Sequence, residues 1–178
     1  MLDGVLIIDK PSGITSHDVV AKVRKALKTK KVGHTGTLDP LATGVLVVCV
    51  EKATKLVNYL TCDEKIYEVE MKLGIKTDTG DITGNIIDED TNYKVTIKEV
   101  NEVIKSFVGK QKQIPPMYSA IKVNGQKLYE LARKGIEIER EPRDIEIFDI
   151  YNTEINNELI KYTVHCSKGT YVRSLCED

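Results

Sequence analysis

The 178-residue chain predicts an α+β fold: a mixed, mostly antiparallel central sheet flanked by helices and loops. Three observations carry this. Lys65 to Leu73 alternates, with Tyr67, Val69, Met71 and Leu73 on one face and Glu68, Glu70 and Lys72 on the other. Arg143–Thr153 and Leu159–Ser167 alternate in the same way and are joined near Asn156-Asn157, a turn signal. Helical patterns fall between the strands without the strict βαβα rhythm of a parallel sheet.

The elements follow in order. Gly4–Asp9 reads as a short buried strand, and Lys10-Pro11-Ser12-Gly13 as the turn that ends it. Thr15 or Ser16 caps a helix with Val19, Val20, Val23 and Leu27 on one stripe and Lys22, Arg24, Lys25 and Lys28 opposite. Val45–Val50 is a β-branched run that reads as a buried strand, and Ala53–Leu60 as a short helix. The alternating strand ending at Leu73 runs into a loop, Gly74–Gly84, with three glycines and two aspartates. It lacks the Gly-Lys-Ser/Thr of a phosphate-binding P-loop and the spacing of an EF-hand.

Thr96-Ile-Lys-Glu99 is a capping box. It opens a helix with Val100, Val103, Ile104 and Phe107 on one stripe, closed by Gly109. Residues 109–143 differ in kind: Pro115-Pro116, an Asn124-Gly125 hairpin signal and a short helix at Leu128–Lys134 read as an inserted basic arm. Past Lys168-Gly169, Thr170 starts a helix, and the chain stops inside it, which predicts that more protein follows in the natural molecule.

Bulk composition excludes several classes. Apolar residues make up 41% and charged residues 30%, a soluble globular profile in a length that suits one domain. No run approaches the roughly 18–20 apolar residues of a membrane span, and no signal peptide is evident, so the expected compartment is the cytoplasm. The four cysteines, Cys49, Cys62, Cys166 and Cys176, and the three histidines, His17, His34 and His165, lack zinc spacing. Buried free thiols are expected.

Net charge is −1, but it is unevenly spread. Residues 1–55 carry nine Lys/Arg against five Asp/Glu, a balance of +4, and residues 109–143 carry eight against four, again +4. Residues 60–108 carry six against eleven, a balance of −5. Lys22–Lys31 holds six basic residues and no acidic one. This asymmetry fits a polyanion bound on one side, or solvated helix faces.

Val32–Val50 organises the chemistry. It begins as a loop with Gly33, Gly36 and Gly44 and carries one carboxylate, Asp39, followed by Pro40. Glycine permits close backbone approach, and proline restricts its own φ and the residue before it. The pattern predicts Asp39 held in one posture above a strand end, or a tight turn with an incidental aspartate. A carboxylate so held can act as nucleophile or as acid/base. No second carboxylate lies nearby in sequence to make a glycosidase-like pair. A buried nucleophilic aspartate needs a cation, and Arg173 in Ser167-Lys-Gly-Thr-Tyr-Val-Arg173 is the candidate. Tyr67 and Tyr171 read as core tyrosines or as plates for stacking a base. His34 caps a turn or touches substrate.

These residues resemble a known family. Gly33-His-Thr-Gly-Thr-Leu-Asp-Pro-Leu-Ala-Thr-Gly-Val-Leu46 is similar to the catalytic motif of the TruB-type tRNA pseudouridine(55) synthases. Four further blocks agree in order: Gly4–Ser16, Tyr67–Asp81, Gln113–Tyr129 and His165–Leu175. The resemblance implies a pseudouridine synthase fold spanning residues 1–178, with residues 109–143 as an RNA-binding thumb insertion. It implies isomerisation of uridine 55 in the tRNA T-loop, with no cofactor and no metal, by a cytoplasmic monomer whose partner is the T-stem–loop. Asp39 matches the nucleophile, Tyr67 the tyrosine that stacks on the target base, and Arg173 the arginine paired with the carboxylate. His34, Tyr171 and Asp81 match substrate-contacting positions. Attack at ribose C1′, addition to ring C6 and elimination to a glycal all remain open.

The family continues beyond the last residue here, with the end of the catalytic domain and a C-terminal PUA-type domain. Two other functions compete. A non-catalytic RNA-binding scaffold needs none of Asp39, Tyr67 and Arg173. A hydrolase using Asp39 as general base requires a second acid or a metal.

Overall fold

Strand β1 (Gly4–Lys10) pairs antiparallel with β3 (Gly44–Val50), from Gly4 opposite Val50 to Lys10 opposite Gly44. A short strand, β2 (Val32–His34), lies on the other side of β3, giving the order β1-β3-β2. The computed structural model describes residues 3–90, 92–156 and 158–178. It divides into two compact units, Met1–Asp63 and Glu64–Asp178.

In the first unit, helix α1 (Ser16–Leu27) is opened by a reciprocal cap. The Thr15 hydroxyl accepts from the Asp18 amide at 3.0 Å, and the Asp18 carboxylate accepts from the Thr15 amide at 2.8 Å. Val19, Val20 and Val23 bury against Val32, Leu46, Val48 and Val50. Leu27, expected on that stripe, is exposed at the last position of the helix, which ends as Lys28 turns left-handed at φ +51°. The opposite face carries the exposed side chains of Lys22, Arg24, Lys25 and Lys28. On β3, Leu46, Val48 and Val50 are buried on one side; on the other, burial grows along the strand from Val45, 72% exposed, to Cys49, fully buried. The helix expected over Ala53–Leu60 is a 3₁₀ segment, Glu51–Leu56, followed by one α-turn, α2 (Val57–Leu60).

The second unit is built on a four-stranded sheet of order β4-β11-β10-β7. These strands are β4 (Glu64–Lys72), β7 (Gly109–Gln113), β10 (Arg143–Asn156) and β11 (Leu159–Ser167). On β4, Tyr67, Val69 and Met71 pack against the core as the alternation predicts. α3 (Ile97–Ser106) is capped by Thr96 and Glu99 and buries Val100 and Ile104 against Ile145, Ile147 and Val164. α5 (Val172–Glu177) adds Leu175 to the same core.

Several expectations change. Every ladder among the described residues is antiparallel, so the sheets are not mixed. The Gly74–Gly84 stretch is not all loop: it holds β5 (Ile75–Thr77) and most of the turn that joins it to β6 (Ile86–Glu89) in a hairpin. Gly109 does not close α3; the helix stops at Ser106, and Gly109, at φ +120°, starts β7. Residues 109–113 belong to the sheet, paired with Arg143–Ile147, so only residues 114–142 stand outside it. There, β8 (Lys122–Val123) and β9 (Gln126–Lys127) form the expected hairpin, with Asn124 and Gly125 both at positive φ. α4 (Leu128–Ala132) follows. Val103 is 58% exposed rather than in the core. Cys49 and Cys166 are buried free thiols and Cys176 is half-buried, but Cys62 is exposed. Of the Asn156-Asn157 turn, Asn157 lies outside the described residues.

Candidate active site

The site residues expected from sequence fall into two sets, one on each unit. Asp39 and His34 lie in the first unit, and Tyr67, Asp81, Tyr171 and Arg173 in the second.

Asp39 is half-buried in the loop between β2 and β3, and the residues on either side of it are tied down. Before it, the Leu38 amide donates to the Ser16 hydroxyl at 3.0 Å. After it, the Pro40 carbonyl accepts from the Gly13 amide at 2.8 Å and from the Lys10 ammonium at 3.1 Å. The Ala42 amide closes back on the Asp39 carbonyl at 3.1 Å. The backbone of Asp39 is therefore pinned to the segment that leads into α1.

Lys10 is the side chain that organises this, and sequence reasoning assigned it only to a turn. It is fully buried. Its ammonium also donates to the Pro11 carbonyl at 2.9 Å and the Ile14 carbonyl at 2.7 Å. Burial lowers its pKa, and the negative charge of Asp39 opposes that shift. A lysine ending an apolar strand directly before a proline was the available signal.

His34 ends β2 half-buried, edge-on to His17 with ring centroids 6.2 Å apart. Burial pushes its pKa down, against a raising contribution from the Gly36 backbone, so the imidazole is neutral near pH 7. Its Nδ1 is buried without a hydrogen-bond partner among the described residues.

In the second unit, Arg173 sits in the first turn of α5. Nη1 donates to the Thr79 carbonyl and Nη2 to the Tyr118 carbonyl, each at 2.9 Å. The guanidinium thus joins the β5–β6 turn to the segment following β7. Gly80, in that turn beside Arg173, takes φ +70°, the left-handed region that favours glycine. Asp81, in the same turn, accepts from the hydroxyls of Thr83 at 2.6 Å and Thr79 at 2.9 Å, and from the Thr83 amide at 2.9 Å. Burial alone would raise its pKa. The Thr83 and Thr79 bonds and the Arg173 charge outweigh burial and hold the carboxyl below its ordinary range.

Tyr171 is the N-cap residue of α5 and is half-buried. Its backbone is held at both ends by the side chain of Gln113, which sequence reasoning also missed. Tyr67 is half-buried on β4 opposite Val164 and packs against the core.

The structure thus brings Arg173 and Asp81 to one turn, with Tyr171 two residues before Arg173 at the start of α5. It fixes Asp39 in another rigid loop. A carboxylate with an immobilised backbone is competent as a nucleophile or a base. Among the described residues, no three His, Cys, Asp or Glu side chains converge as metal ligands.

The family model described as TruB family pseudouridylate synthase (N terminal domain) matches residues 24–172. A tRNA pseudouridine synthase B of Clostridium kluyveri is 54% identical over 177 residues, 99% of this chain and 61% of the relative. The tRNA pseudouridine synthase B of Bacillus subtilis is 55% identical over 181 residues, 98% of this chain and 59% of the relative. The chain therefore spans about 60% of the length of these curated relatives. Among solved structures, a chain of a Cbf5-Nop10-Gar1 complex superposes at TM-score 0.73 and 34% identity, covering 97% of this chain and 42% of that one. An H/ACA RNP bound to a substrate RNA containing 2'-deoxyuridine gives TM-score 0.69 and 31% identity over 97% and 40%.

Proposed function

Since this chain belongs to the TruB family of pseudouridylate synthases, we propose that it isomerises uridine 55 in the T-loop of tRNA to pseudouridine. The observation that carries the reading is the pinned backbone of Asp39, held through Leu38 and Pro40 in the loop whose sequence resembles the family's catalytic motif.

The reaction breaks N1–C1′ and forms C5–C1′. C5 loses its hydrogen to solvent, and N1 gains a proton. The uracil must stay in the site while it turns; Asp39 attacks ribose C1′ and holds the sugar, or adds to ring C6 and holds the base, or assists elimination to a glycal. In this reading Asp39 is the nucleophile, Tyr67 stacks on the target base, and Arg173 supplies the positive charge of the site. His34, Asp81 and Tyr171 contact the substrate. Catalysis uses no metal or cofactor. The target base must leave its stack, at a cost on the order of a few kcal/mol. Phosphate contacts from the exposed Lys22–Lys31 patch and from the basic arm offset that cost. We assign residues 1–178 to the catalytic domain, with the part of the 109–143 arm that stands outside the sheet, residues 114–142, as its RNA-binding thumb. The protein acts as a cytoplasmic monomer.

The test is release of tritium from tRNA carrying uracil labelled at C5. The expected result is one tritium lost per tRNA with this chain in catalytic amount. Binding of the tRNA with no tritium release at enzyme excess would instead make the protein a non-catalytic RNA-binding scaffold.

A further inference from the structure

Gln113 is a polar side chain only 4% exposed, at the last position of β7. Burying an amide without partners is costly, so its contacts matter. Both ends of the amide meet one residue. Oε1 accepts from the Tyr171 backbone N–H at 2.8 Å, and Nε2 donates to the Tyr171 carbonyl at 3.0 Å. The orientation is chemically forced, because a backbone N–H only donates and a carbonyl only accepts. This two-point contact mimics a rung of a β-ladder and removes the freedom of the Tyr171 peptide groups to rotate.

The location gives the contact its significance. Tyr171 is the N-cap of α5, and no side chain caps that helix start. Arg173 follows two residues later. Two further bonds tie the same helix to the segment after Gln113: the Ser174 hydroxyl donates to the Ile114 carbonyl at 3.3 Å, and Arg173 Nη2 to the Tyr118 carbonyl at 2.9 Å. A six-residue helix has little stability of its own, so its placement comes from such contacts. Gln113 is rigid in turn, because its backbone pairs with Arg143 in the sheet.

We propose that Gln113 is a positioning residue: it sets the peptide planes of Tyr171 and thereby the direction in which the Tyr171 ring and the Arg173 guanidinium are presented. It touches no reacting atom. This inference rests on the proposed isomerase activity, and its test separates the two.

Two variants, Gln113→Leu and Gln113→Glu, are compared with the wild-type chain in pseudouridine formation on tRNA from pH 5.5 to 8. Hydrogen exchange at the Tyr171 and Arg173 amides is measured on the same proteins, with the β7–β10 ladder amides as the folding control. Gln113→Leu should lower kcat about 100-fold, the scale set by a displacement of roughly 1 Å, with KM for tRNA nearly unchanged. Gln113→Glu lacks the donor when ionised and sets a carboxylate against the Tyr171 carbonyl. Protonated, it has an O–H for that carbonyl and an oxygen for the amide. Its kcat relative to wild type should therefore rise as pH falls, while that of Gln113→Leu stays low and flat. Tyr171 amide exchange should accelerate in Gln113→Leu, and in Gln113→Glu at pH 8.

Wild-type kcat in both variants across the range would overturn the role of Gln113 and leave the isomerase intact. An inactive wild-type chain would overturn the isomerase. The exchange then decides on Gln113: unchanged Tyr171 and Arg173 protection in Gln113→Leu refutes the positioning role, and accelerated exchange with an intact ladder upholds it.

Discussion

Replacing Lys10 with methionine tests whether this buried ammonium holds the Asp39 loop. Methionine keeps most of the stem's volume, so the core contacts change little. Three carbonyls, of Pro11, Ile14 and Pro40, lose a donor at 2.7–3.1 Å. The Pro40 carbonyl keeps the Gly13 amide at 2.8 Å, so the cost falls mainly on Pro11 and Ile14. A hydrogen bond to a charged group is worth about 1.5–3 kcal/mol. Desolvation of the ammonium, visible in its lowered pKa, takes part of that back. The net loss is then about 3 kcal/mol, or a fall in Tm of roughly 6–12 °C for a chain of this size. Circular dichroism melting gives the Tm. Hydrogen exchange at the Gly13, Leu38 and Ala42 amides locates the damage, and these should exchange faster than the α3 amides. A Tm within roughly 2 °C of wild type, with those amides as protected as before, would refute the reasoning.

Two further outcomes follow from the charges. Neutralising Lys122, Lys127 and Arg133 in the arm should weaken tRNA binding most at low salt and reduce the slope of log K against log[salt] by about 2–3. An unchanged slope would remove the arm from the interface; Lys127 and Arg133 both lie within 5.3 Å of the Tyr129 ring centroid, so the charges sit on a fixed aromatic support. Asp81 titrates below its ordinary range, so its carboxylate contributes stability fully present above about pH 4 and lost as pH falls through the lowered folded-state value. The stability gap between wild type and Asp81→Asn should be constant from pH 8 to 5 and close below about pH 4; a gap that widens in acid would contradict this sign.

Much of the architecture is legible in local sequence. The alternation around Tyr67, the helix cap at Thr15 or Ser16, the capping box at Thr96 and the Asn124-Gly125 turn are local signals, and local physics decides them. β2, β5 and β6 were not readable. They are three or four residues long, and β6 is exposed throughout, so no alternation could build up. Gly109 misled because a glycine after a helix normally caps it; here its positive φ serves the entry to an edge strand. Leu27 and Val103 misled because helical spacing says which face is apolar and not whether another element covers it.

In the site, Asp39 was visible through its glycines and proline. Lys10 and Gln113 were not, since charged and amide side chains default to the surface. Only the folded chain brings a carbonyl 30 residues away onto the Lys10 ammonium, or sets a glutamine against a peptide 58 residues away.

Asp39 is the proposed nucleophile, and Asp39→Asn isolates that role. Asparagine preserves size and leaves the backbone contacts of Leu38 and Pro40 in place, but it is no nucleophile. On a tRNA T-stem–loop, the variant should bind as wild type does and form no pseudouridine over many wild-type half-lives. Pseudouridine formed at the wild-type rate would contradict the account.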